Sequence, residues 1–149
     1  MESFIKVKKM SKDSKKALFI VSSPFQALCA IEAIYQYKID FPIFIALYGQ
    51  ARQNNSNASN IIDQFGFTNN KYELCYQSFK SLLINSRSDI KKINIKKHDI
   101  KMIFIGDYFS PSQRILSVFC SNNPKETIYR CVDDGNSTIE ALLWGLNVI

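Results

Sequence analysis

Continuous apolar runs of strand length, separated by segments with helical spacing, constrain this chain more than any other feature. Residues 17–22 (Ala-Leu-Phe-Ile-Val-Ser) and 42–48 do not alternate apolar with polar, and 101–106 and 126–132 read as further strands. A strand with one wet face must alternate, so a strand that does not is covered on both faces. Helical spacing fills the intervals. Ser22-Ser23-Pro24 turns the first strand into a helix, with serine capping free N–H groups and proline fitting the first turn. Leu28, Ile31, Ile34 and Tyr35 then mark the expected core stripe of that helix. Ser110-Pro111 opens a second such helix, carrying Ile115, Leu116 and Phe119.

The remaining segments are shorter. The Asn/Ser-rich stretch 53–60 predicts a loop running into a short helix over 58–65, and 71–77 alternates as an edge strand does. Residues 78–86 predict a helix, the Lys/Ile mixture of 88–98 fits either period, and 138–146 predicts an amphipathic helix. Strand and helix in alternation call for an α/β fold, a Rossmann-like parallel sheet flanked by helices and joined by right-handed crossovers. The 149 residues divide into a basic tail over 1–16 and one domain over 17–149.

Parallel sheets bind ligands beyond the carboxyl ends of their strands. Three polar loops are expected there: residues 22–26, 106–110 and 133–137. In the first, Ser22, Ser23 and Gln26 are candidate hydrogen-bond donors to a sugar or phosphate. In the second, Asp107 and Tyr108 are candidates for holding polar substrate groups. Further along, Arg114 is able to fork onto a carboxylate, though a solvated helix surface is the commoner fate of Gln113 and Arg114. In the third, Asp133 and Asp134 stand together, which raises the pKa of one and suits it to accept a proton as general base. Gly135 lets backbone approach a ligand, and Asn136 and Ser137 lead into the next helix, whose N-terminus favours an anion. The same Asp-Asp-Gly also serves as an ordinary turn and cap.

Several chemistries find no residues to work with. The only histidine, His98, lies among lysines and is expected at the surface, and no Cys/His spacing fits zinc. Phosphate-binding glycine motifs and a nucleophile elbow are missing. The four scattered cysteines, Cys29, Cys75, Cys120 and Cys131, are expected as buried thiols. No apolar run reaches membrane-spanning length, so a cytoplasmic location is the default expectation. The net charge of +6 concentrates in Lys6, Lys8, Lys9, Lys12, Lys15 and Lys16 and again in Lys91, Lys92, Lys96, Lys97 and Lys101. Without interleaved aromatics these clusters do not read bases, so no specific nucleic acid is expected. A solvated face is their common role, and an anionic substrate or peripheral contact with an inner membrane is the alternative.

Phe19-Ile20-Val21-Ser22-Ser23-Pro24-Phe25-Gln26 and Tyr129-Arg130-Cys131-Val132-Asp133-Asp134-Gly135, taken together, resemble the bacterial sialyltransferases. The likeness, over residues 17–146, is to the family of lipooligosaccharide sialyltransferases, with the capsule polysialyltransferases as relatives. The resemblance implies the N-terminal half of a GT-B glycosyltransferase, with the active site in a cleft between two Rossmann-like halves. It implies transfer of sialic acid from CMP-sialic acid to a glycan hydroxyl, with Asp133 or Asp134 as base and no metal or cofactor. Asp134 stands nearer the loop apex. The family's downstream His-Pro motif does not occur, since His98 precedes Asp99. The second half is therefore expected to be missing, its place taken by a complementing C-terminal half or a homodimer. Two other readings stand beside this one: a non-catalytic Rossmann-like module that pairs with another subunit, and a basic surface-binding protein.

Overall fold

A computed structural model describes residues 15–49 and 52–132, with side chains left out over 52–56. The lysines of the N-terminal tail before Lys15, the loop 133–137 and the expected helix over 138–146 lie outside the described residues. Among the described residues, five strands form one parallel sheet in the order β3-β2-β1-β4-β5. They are β1 (Lys16–Val21), β2 (Phe41–Tyr48), β3 (Lys71–Cys75), β4 (Met102–Ile105) and β5 (Ile128–Cys131). Between them run α1 (Pro24–Gln36), α2 (Arg52–Gln64), α3 (Phe79–Ile93) and α4 (Pro111–Cys120). The expected Rossmann-like architecture is the observed one.

Both faces of the central strands are covered, which is why their sequences do not alternate. Ala17, Phe19 and Val21 pack with Ala27, Ala30 and Ile31 of α1 and with Ala58 and Ile62 of α2. Leu18 and Ile20, on the opposite face, pack with Leu82 and Ile90 of α3 and Leu116 of α4. Phe19 pairs in register with Phe44 and Phe104, and its ring stacks on theirs at centroid distances of 5.3 and 4.6 Å.

That aromatic row corrects the expected face of α1. Ala27, Ala30 and Ala33 line its buried side, while Leu28 and Tyr35 are exposed, Tyr35 by 70%. Ile31 and Ile34 are buried as expected, but the three rings fill the space under the helix, so alanines seat it where Leu28 and Tyr35 were expected. The Asn-rich segment is corrected too. It lies within α2, against the low helix propensity of Asn and Ser. Burial of Ala58 and Ile62, one turn apart, outweighs that propensity. Ser59 and Asp63 on the same helix reach edge strand β3: Lys71 donates to Asp63 Oδ1 at 2.7 Å, Ser59 donates to Glu73, and Tyr48 donates to Glu73 Oε1 at 2.6 Å.

The ambiguous Lys/Ile stretch finishes α3, stops at Asn94 in the left-handed region (φ 53°), and continues as a 3-10 turn over Ile95–His98. His98 is half-buried rather than exposed, its ring 5.4 Å from that of Phe41, and burial lowers its pKa. Of the four cysteines expected to be buried, only Cys120 and Cys131 are; Cys29 is half-buried and Cys75 is exposed. Among the described residues no helix is long and apolar enough to cross a membrane.

Candidate functional site

From β1 the chain winds outward to β2 and β3, then returns to the other side of β1 as β4 and β5. β1 and β4 are therefore neighbours whose following helices, α1 and α4, leave to opposite faces. Such a switch point opens a crevice at the carboxyl ends of the two strands, because no crossover covers it. The loops that start at Ser22 and Gly106 flank this crevice. Val132, whose N–H donates to Ile105 O at 2.8 Å, ends the described chain at the same edge. Asp133, Asp134, Gly135, Asn136 and Ser137 follow it and lie outside the described residues.

Both crevice helices begin with the same Ser-Pro-x-Gln pattern. Ser23-Pro24-Phe25-Gln26 opens α1 and Ser110-Pro111-Ser112-Gln113 opens α4. In each, the serine caps the helix and accepts from the glutamine N–H, at 3.2 Å for Ser23 and 3.3 Å for Ser110. The proline supplies the fixed φ of the first turn. Both glutamine side chains then turn inward and meet. Gln26 Oε1 accepts from Ser22 N–H at 2.8 Å. Gln113 Oε1 accepts from the N–H groups of Gly106 and Asp107 at 2.8 and 2.9 Å. Backbone N–H groups only donate, so each amide must point its oxygen at them. The Gln113 Nε2 that results faces Ser22 Oγ at 2.9 Å and Gln26 Oε1 at 3.1 Å.

This network decides what the candidate residues can do. Gln26 is 5% exposed and Gln113 is 1% exposed. Gln26, expected as a donor to a ligand, is buried with its oxygen held by Ser22 N–H and Gln113 Nε2, so it joins the two loops. The solvated surface expected for Gln113 is corrected by its burial, while Arg114 beside it is exposed, its guanidinium 5.8 Å from the Tyr108 ring centroid. The signal for Gln113 was present in the repeated Ser-Pro-x-Gln. Asp107 forms a turn, its Oδ1 accepting from Phe109 N–H at 2.9 Å, and Tyr108 meets Phe109 edge-on at 5.6 Å. Ser22 and Ser23 are half-buried hydroxyls on the crevice, each accepting one bond and each with a proton to give.

A cleft of about 420 Å³ extends from Ser22 toward the ends of β2 and β3. Leu47, Tyr76 and Leu82 form an apolar floor, and Ser22, Gln77, Ser78, Ser110 and Ser112 supply polar walls, with Phe79 at the rim, 45% exposed. Tyr76 donates to Asp89 Oδ2 at 2.8 Å, and burial first, then that bond, raises its pKa, so the phenol stays protonated. Among the described residues, none that lines it carries a charge. The N-termini of α3 and α4, capped by Ser78 and Ser110 and free of acidic residues in their first turns, open on it. Their dipoles favour electron-rich groups such as hydroxyl and carbonyl oxygen. Among the described residues no group of three or more His, Cys, Asp or Glu side chains comes together as metal ligands do.

No protein-family model and no curated protein matches the chain.

Proposed function

We propose that this chain is the acceptor-side half of a glycosyltransferase that moves sialic acid from CMP-sialic acid to a glycan hydroxyl. One observation carries the reading: the uncharged, hydroxyl- and amide-walled cleft with an apolar floor at the switch-point edge. A neutral sugar offers such a cleft hydroxyls to exchange with serine and glutamine, and a C–H face to lay on Leu47, Leu82 and Phe79. The resemblance of the two sequence motifs to sialyltransferases supplies the reaction. Asp133 or Asp134, which follow Val132, accepts the proton of the acceptor hydroxyl as its oxygen bonds the anomeric carbon. The bond from that carbon to the CMP phosphate breaks, and CMP leaves with the electron pair.

The test is transfer from CMP-sialic acid to a labelled galactoside, by the chain alone and with a C-terminal half carrying a His-Pro motif. Turnover is expected only in the second mixture. If that half binds the chain and no transfer follows, the chain is a non-catalytic module that pairs with another subunit.

A further inference from the structure

The outer surface of the α3–α4 pair carries a second feature, unrelated to the crevice. A groove of about 500 Å³ lies between the two helices, lined by Leu83, Pro111, Ile115, Val118 and Phe119, with Arg114 at its edge. Val118 and Phe119 also line a neighbouring hollow of about 610 Å³, where Arg87, Lys91 and Lys96 gather. The two are thus one continuous channel, apolar at one end and basic at the other. Leu83 and Val118 are 45% and 46% exposed, and Ile84 beside them 66%. Arg87 lies over the Phe119 ring at 4.7 Å, which keeps a cation at the junction of the two ends. Among the described residues no carboxylate lines either part and none forms an ion pair with these cations.

We infer that this groove is a docking surface for an anionic phospholipid bilayer. An apolar strip rimmed by Arg and Lys matches the acyl boundary and phosphates of such a surface, and two helices side by side present it in one plane. A second copy of the chain fits poorly. It brings a net charge of +6 and the same cations, so pairing groove to groove sets like charges together. A neutral glycan leaves the cations unmatched. The α3–α4 face then rests on the membrane, with the switch-point crevice at one end of the same helices.

The experiment places an environment-sensitive fluorophore at Leu83→Cys, or at Tyr35→Cys on the α1 side, in a chain with Cys29→Ala and Cys75→Ser. Vesicles of phosphatidylcholine with about one third phosphatidylglycerol should shift the position-83 emission to the blue and leave position 35 unchanged. Arg87→Glu with Lys91→Glu should weaken vesicle binding about tenfold or more. The charge-matched pair Lys97→Glu with Lys101→Glu, outside the groove, should cost only about two- to threefold. Equal shifts at both positions, equal losses from both pairs, or no binding to these vesicles would overturn the inference. So would a concentration-dependent dimer that Leu83→Asp dissolves, which would assign the groove to a second copy.

Discussion

Gln113 donates from Nε2 to Gln26 Oε1 at 3.1 Å, joining two side chains that are 87 residues apart in sequence. Each is the third residue of a helix that begins with proline after a capping serine, and each helix leaves a different one of the two strands at the switch point. The bond ties together the two loops that frame the crevice. Its removal is therefore expected to loosen the site before it unfolds the domain.

Gln113→Leu keeps most of the volume and removes both ends of the amide. The Asp107 N–H loses its acceptor and Ser22 Oγ its donor. Thermal or denaturant unfolding should show a loss of about 2–3 kcal/mol. Gln113→Glu retains the accepting oxygen but, when ionised, sets a carboxylate against Gln26 Oε1. Its deficit relative to the wild type should shrink as pH falls and the buried acid takes a proton, because the neutral acid donates where the amide did.

Gly106 is needed for space. A Cβ there would sit 2.1 Å from Gln26 Oε1 and 2.4 Å from its Cδ, so Gln26 would have to abandon Ser22 and Gln113. Gly106→Ala should cost about 2 kcal/mol. It should also change amide NMR shifts at Ser22 and Asp107 while leaving those of α2 in place. A silent Gly106→Ala would show that the two loops are not tied through Gln26.

The Lys71 network sets an acid limit on stability. The hydrogen bond from Lys71 holds the Asp63 carboxyl below its ordinary value of 3.8, and bonds from Ser59 and Tyr48 hold Glu73 below 4.5. The unfolded chain therefore binds these protons at higher pH than the folded one. The stabilisation is complete above about pH 4.5 and drains away as pH falls through the lowered values. Wild type should melt above Glu73→Gln at pH 7, and the gap should narrow as pH falls below 4.5 and through the lowered value. A gap that is constant with pH would assign Glu73 no ionic role.

The proposed base is tested in the protein completed by a C-terminal half. Asp133→Asn and Asp134→Asn keep the shape and remove the proton acceptor one at a time. One of them should lower the transfer rate by about two to four orders of magnitude, with CMP affinity nearly unchanged. The other aspartate, as a cap, should cost about 1 kcal/mol of stability when changed to Ala. Near-full activity in both Asn variants would make the acidic loop a turn and remove the catalytic reading.

The amino-acid sequence by itself determined the sheet. Runs such as 17–22 and 42–48 hold too little polar side chain to face water on either side, so they become central strands in whatever fold they enter. Ser-Pro at 23–24 and 110–111 likewise set the starts of α1 and α4, because capping and the fixed φ of proline act within one turn. Tertiary structure decided the rest. The three alanines of α1, and not Leu28 or Tyr35, face the sheet because rings from β1, β2 and β4 already occupy that space. Arg52–Gln64 is a helix because Ala58 and Ile62 find a core to enter, against their neighbours' propensity. The pairing of Gln113 with Gln26 depends on β4 returning to lie beside β1, a long-range event that no local window of sequence encodes.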